Sequence, residues 1–121
     1  MIRIKRLFKS FIYAWRGLVK VLREEQNFKI EIFAGIVVIV LAIWSGFSYL
    51  ELTILIIVIG LVLLMEVINS AVELISDILK PKLDHYVKII KDMVATAVLI
   101  ASLIAVSAGL ILFGHHWWNW L

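Results

Sequence analysis

The sequence predicts an all-α membrane protein: one domain, 1–121, with an N-terminal amphipathic surface helix followed by three transmembrane helices. Three observations predict it. The chain is 64% hydrophobic with a mean hydropathy of +1.06, whereas a soluble domain is nearer ~45–50% apolar, and so short a chain cannot hide the excess inside. Uncharged stretches long enough to contribute to a bilayer crossing recur three times. The positive charge is gathered into two patches. Eight of the twelve Lys/Arg lie in residues 1–31, and the other four are Lys80, Lys82, Lys88 and Lys91. This composition excludes a disordered chain, a disulfide scaffold and an ordinary soluble enzyme, and the absence of cysteine excludes a thiolate metal site. A basic arm joined to apolar spans fits the positive-inside rule and anionic lipid, so no nucleic-acid partner is expected.

The elements follow in order. Within residues 1–29, Phe8, Phe11, Ile12, Trp15, Leu18, Val19 and Leu22 recur at helical spacing, with Lys9, Arg16, Lys20 and Arg23 largely between them. That pattern suits a cytoplasmic helix lying in the membrane interface. The first span is expected over 30–50, uncharged from Ile32 and ending among Trp44, Phe47 and Tyr49, where an aromatic belt belongs. A short link around 45–51 reverses the chain. The second span is expected over 52–79, ended by Pro81. Residues 80–92 then read as a polar connector and 93–114 as the third span. The tail His115-His116-Trp117-Trp118 reads as an interfacial anchor. Three spans put the basic arm and the basic connector together on the cytoplasmic side of a multi-pass protein.

The second span carries the chemistry. After an uncharged run to Met65 come Glu66, Asn69, Ser70, Glu73 and Asp77, which at 100° per residue share roughly a third of the helix circumference. Carboxylates at membrane depth are costly and usually face a bundle interior or a wet cavity. A second acidic group, Glu24, Glu25 and Glu31, precedes the first span, and Lys91-Asp92 opens the third at the depth of Glu73. Carboxylate oxygens suit Mg²⁺, which commonly bridges protein carboxylates to substrate phosphates, and a lysine can meet a phosphate as a point charge. There is no glycine-rich phosphate loop or dinucleotide fingerprint, and the three histidines show no zinc spacing. Ala97, Ala101, Ala105 and Gly109 form a row of small residues that permits close helix contact. Three spans enclose a polar site poorly, so an oligomer is expected.

Glu66-Val-Ile-Asn69-Ser70-Ala71-Val-Glu73 resembles the signature of the small prokaryotic diacylglycerol kinases, a family that includes the undecaprenol kinases of Gram-positive bacteria. Lys91-Asp92-Met93 looks like the family's second motif, and Glu25-x-x-Phe28-Lys29-x-Glu31 like its first acidic segment. Arg6, Tyr13, Trp15 and Gly17 match its surface helix. The resemblance covers about residues 3–114. It implies a homotrimer in the bacterial inner (cytoplasmic) membrane, with active sites shared between subunits. It also implies MgATP-dependent phosphorylation of a lipid hydroxyl. By that likeness Glu66 is the general base, Glu25 and Glu73 hold Mg²⁺, and Lys91 touches phosphate while Asp92 and Asn69 organise the site. Arg6 and Tyr13 complete the ATP site from the surface helix. The lipid meets Arg6, Glu66 and position 95.

Two departures bear on the substrate. After Lys-Asp-Met the Gram-negative diacylglycerol kinases have Gly-Ser-Ala-Ala and the undecaprenol kinases tend to have Ala-Ala-Gly-Ala, whereas this chain has Val94-Ala95-Thr96-Ala97. Ala95 lacks the serine hydroxyl, which tilts the expectation toward a polyprenol acceptor. The connector Lys80-Pro81-Lys82-Leu83-Asp84-His85 departs from the family's Glu-Tyr-His. Two other classes compete with a lipid kinase: a small proton-coupled transporter using Glu66, and a non-catalytic membrane adaptor.

Overall fold

A computed structural model describes residues 3–120, apart from the side chains of Lys80 and Leu83. It is helical, with no strand among the described residues. Helix α1 runs Ile4–Glu24 and buries none of its residues within the chain. Phe8, Phe11 and Trp15 are about two-thirds exposed. This apolar stripe on a basic helix has its natural cover in the headgroup boundary of a bilayer.

The helix stops at Glu25, whose backbone is extended (φ −106°, ψ 103°). Helix α2, Gln26–Trp44, follows at once. Its 19 residues reach about 28 Å at 1.5 Å per residue, close to a hydrocarbon thickness. It ends in a glycine cap: Gly46 adopts φ +85°, its N–H donates to the Ile43 carbonyl, and the Phe47 N–H reaches back to Ala42. This is the Schellman arrangement, completed by burial of Phe47 in the same apolar cluster as Ala42.

Helical backbone then continues from Tyr49 to Trp118. As a straight rod it would exceed about 100 Å. Yet His116 Nε2 lies 2.7 Å from Glu51 Oε2 and Trp117 Nε1 donates to Ser45 Oγ at 3.0 Å. The chain therefore folds back on itself, giving two antiparallel limbs, α3 (Tyr49–Leu79) and α4 (Asp84–Trp118). The bend between them holds Pro81, which lacks an N–H and crowds the preceding turn. Among the described residues three helices are thus long and apolar enough to cross a membrane.

The boundaries differ from the sequence reading in two places. The first span ends at Trp44 because Gly46 caps it. The polar residues 84–92, expected in a connector, belong to α4, since nothing after Pro81 breaks a helix and their charged side chains can reach water.

The core lies in the half of the bundle near the α2–α3 link. Ala42, Phe47, Leu55 and Val58 are buried, with Ala105, Ala108, Leu112 and Phe113 of α4 packed against them. The row of small residues is used here: Ala101 is buried and Ala105 meets the core. Gly35 lets α2 approach α3, because a Cβ there would stand 3.0 Å from Ile59 Cγ2. Gly35→Val is expected to cost about 1–3 kcal/mol through overpacking, read as a lower unfolding temperature in detergent. An unchanged transition would show that the helices part without cost.

A second set of contacts ties the same end. Ser48 and Glu51 form a capping box on α3, and His116, besides meeting Glu51, stacks on Phe47 with ring centroids 4.6 Å apart. The tail read as a plain interfacial anchor is therefore also a clasp. The Ser48-x-x-Glu51 spacing signals the cap in the sequence, but nothing local signals the return of His116. Glu51→Ala removes the Glu51 half of the capping box and the clasp together, leaving the Ser48 cap, and is expected to cost about 1–2 kcal/mol, measured in the same unfolding experiment.

Candidate active site

The polar face of α3 is its inward face. Glu66, Asn69, Ser70 and Glu73 are half-buried and Ser76 is buried, while Val67, Ile68, Ala71, Leu74 and Ile75 point outward. This inverts a soluble amphipathic helix, as expected where lipid rather than water lies outside. Asp77 is exposed at the edge of that face. The Ser70 hydroxyl donates to the Glu66 carbonyl at 3.1 Å, a local bond that leaves the carboxylates unengaged. Asn69 Nδ2 donates to Glu73 Oε1 at 3.4 Å, orienting that carboxylate one turn away.

From α2, Glu31 faces this surface. Its carboxyl neighbours that of Glu66, and its Oε2 is buried with no hydrogen-bond partner. Spacing had grouped Glu31 with Glu24 and Glu25 at the depth of Glu73. Glu31 instead lies six residues inside Glu25, about 9 Å along the helix, and meets Glu66. Antiparallel packing of α2 on α3 is what pairs them, and no motif along one strand of sequence reports it. Glu24 is exposed.

Glu25 occupies the α1–α2 junction, half-buried, at the N-cap of α2. Its side chain makes no capping bond, so the carboxylate remains available beside the positive end of the α2 dipole. Lys91 is half-buried and Asp92 exposed on the first turns of α4. Among the described residues neither forms an ion pair; the one present is Glu51–His116. Ala95 is exposed, and the neighbouring Thr96 hydroxyl is turned back onto the Asp92 carbonyl at 2.9 Å. Arg6 and Tyr13 are exposed on α1 and, among the described residues, form no ion pair or side-chain hydrogen bond with the carboxylates.

A single chain thus brings Glu31 to Glu66 and Asn69 to Glu73, and leaves Arg6, Tyr13, Glu25 and Lys91 as separate contributions. Among the described residues no three metal-ligating side chains cluster. The chemistry of the donor set fits Mg²⁺ all the same: hard carboxylate oxygens, one of them oriented by Asn69. Mg²⁺ takes only one or two protein carboxylates and fills its octahedron with water and phosphate. An apolar cavity of about 580 Å³ runs between α2, α3 and α4, from Glu31 at one end to Trp117 at the other. One carboxyl, that of Glu31, therefore lines a slot fit for a hydrocarbon chain.

Comparison with known proteins agrees with this arrangement. Residues 12–113 match the family model described as prokaryotic diacylglycerol kinase. The chain is 32% identical over 110 residues to the undecaprenol kinase of Bacillus subtilis, covering 91% of this chain and 89% of that one. It is 32% identical over 111 residues to the diacylglycerol kinase of Escherichia coli K12, covering 92% and 91%. With the diacylglycerol kinase of Helicobacter pylori J99 it shares 32% over 117 residues, covering 97% and 85%. The family match runs from within the surface helix through the carboxylate face and into the last membrane helix, and the chain belongs to the prokaryotic diacylglycerol kinase family of membrane lipid kinases.

Proposed function

We propose that the chain transfers the γ-phosphoryl group of ATP to the hydroxyl of a membrane lipid alcohol. The observation that carries this reading is the inward polar face of α3, with Glu66 on it, Glu73 two turns toward the bend, and an apolar slot beside it that Glu31 lines. A lipid tail in the slot brings its hydroxyl to the carboxyl pair, while a water-soluble nucleotide reaches Glu73 from the membrane surface.

Glu66 is the general base in this reading. As the lipid oxygen attacks the γ-phosphorus, its proton passes to a Glu66 oxygen, the bond from the γ-phosphorus to the β–γ bridging oxygen breaks, and ADP leaves. Glu25 and Glu73 would hold Mg²⁺, whose charge neutralises the phosphate oxygens when bound. Asn69 orients Glu73, Lys91 meets phosphate as a point charge with Asp92 beside it, and Arg6 and Tyr13 close over the nucleotide from α1. Phosphoryl transfer asks chiefly for positioning and charge neutralisation, and these residues supply both. The apolar faces left open on all three spans, together with the separated positions of Arg6, Glu25 and Lys91, support a homotrimer with sites completed between subunits. The basic arm and the bend face the cytoplasm, where ATP is.

For the acceptor we favour undecaprenol over diacylglycerol. Ala95 offers no hydroxyl to a glycerol backbone, and the Thr96 hydroxyl is already donated to Asp92. The test offers each lipid separately in detergent–lipid micelles with γ-labelled ATP. Label in undecaprenyl phosphate at a kcat/KM at least tenfold above that for phosphatidic acid supports the assignment, and the reverse ratio assigns diacylglycerol.

A further inference from the structure

The slot between α2, α3 and α4 has two unlike ends. Glu31 stands at one, beside the carboxylate face, and Trp117 at the other. On α4 the lining run from Ser102 to Trp117 rises about 22 Å at 1.5 Å per residue, more than the ~15 Å of hydrocarbon in one leaflet. A volume of about 580 Å³ spread over that length leaves a section of roughly 25 Å², against roughly 80 Å² for a helix about 10 Å across. The slot therefore fits an occupant thinner than a helix. Among the described residues that line it, the polar side chains are Glu31 and Ser102, and the Trp117 indole N–H is already donated. Such a lining suits a hydrocarbon tail whose headgroup lies at the carboxylate face, and not a water-soluble ligand.

The Trp117 end is held in place. Trp117 Nε1 donates at 3.0 Å to the hydroxyl of Ser45, which is buried. Its ring meets Phe113 edge-on with centroids 5.4 Å apart, and Phe113 packs on Phe47 at 4.7 Å. The preceding residue, His116, is the one clasped to Glu51. The α2–α3 link, α3 and α4 thus fix one indole at the end of the slot. Along its side the slot is open to lipid, since Val106 and Leu110 on its edge are 59% and 71% exposed.

We propose that Trp117 is the stop that sets how much of the acceptor's tail the slot holds, which makes it a specificity-determining residue for the lipid. The proposal rests on the lipid-kinase reading. Tail up to the stop packs against three helices. Tail beyond it turns out through the open side into lipid and gains nothing further. Gly109 supplies room on the way: it lines the slot, and a Cβ there would meet nothing within 4 Å.

The test uses acceptors that share one headgroup and carry saturated tails of graded length. Each is offered at fixed mole fraction in detergent micelles with γ-labelled ATP. For the parent, kcat/KM should rise with tail length to a break and then level. Trp117→Ala should move the break to longer tails and Gly109→Leu to shorter ones. The long-to-short ratio should change about fivefold in opposite directions, the worth of the dispersion contacts of a few methylene groups. Trp118→Ala removes an exposed neighbour outside the slot and should leave the break where it is. General loosening of the bundle lowers the rate for all tails alike and does not shift the break both ways. A parent without a break, or a break unmoved in both slot variants, overturns the proposal.

A readout free of turnover covers variants that fail to fold. A diazirine about 22 Å down the tail should crosslink to Trp117 or Phe113 of the parent. Crosslinks confined to α1 or to the outward helix faces overturn the proposal and leave the kinase reading intact. Crosslinking at Trp117 with no label passing from ATP to any lipid would uphold the stop and overturn the kinase reading.

Discussion

Glu66→Gln is expected to lower kcat for lipid phosphorylation about a thousandfold while KM for ATP stays within a few-fold of the parent. General-base catalysis is worth ~10²–10⁴ in rate, and a thousandfold corresponds to about 4 kcal/mol of barrier. Glutamine keeps the shape and the hydrogen-bonding capacity of the side chain but takes no proton from the lipid hydroxyl. Glu66 is half-buried on the inward face beside Glu31, two turns from Glu73, where the proposed reading places the nucleotide. The loss should therefore fall on turnover rather than on ATP binding. A transporter using Glu66 would instead lose proton-linked uptake and show no phosphorylation to lose, and an adaptor would not respond.

Glu73→Gln is expected to act differently. The carboxylate that Asn69 orients at 3.4 Å becomes a neutral amide, a poorer ligand for a hard cation. Half-maximal activity should then require at least tenfold more Mg²⁺, and saturating Mg²⁺ should restore part of kcat. Titrating the free metal at fixed ATP separates the outcomes. An unchanged Mg²⁺ requirement would remove Glu73 from the metal site, and a loss that no metal concentration relieves would assign it some other role. Glu25→Gln should behave like Glu73→Gln, since both carboxylates are free of ion pairs among the described residues.

The spans were legible because apolar length and charge placement are properties of a continuous stretch, and bilayer thickness sets the scale for both. The inward face of α3 was legible for a related reason. Five polar residues at helical spacing inside an apolar run can only be stabilised together, by pointing one way. The start of α4 was not, because residues 84–92 are polar enough for a loop and only the absence of a breaker keeps them helical. Two contacts lay beyond any single-stretch reading. Glu31 meets Glu66 across two helices, and His116 meets Glu51 across 65 residues. Both depend on how the bundle packs. Gly35 for the first and Gly46 for the turn that precedes the second are visible in the sequence as glycines, but their close approach and positive φ are not.

The account's central claim is that the inward carboxylate face of α3 is where phosphate moves from nucleotide to lipid. The most direct measurement follows label from γ-labelled ATP into the lipid extract, with parent protein and folded Glu66→Gln run side by side. The account predicts label in a lipid monophosphate with the parent, dependent on added Mg²⁺, and about a thousandfold less with Glu66→Gln. Equal labelling by the two proteins would place the chemistry elsewhere, and no labelling by folded parent protein with either lipid would contradict the kinase reading of this face.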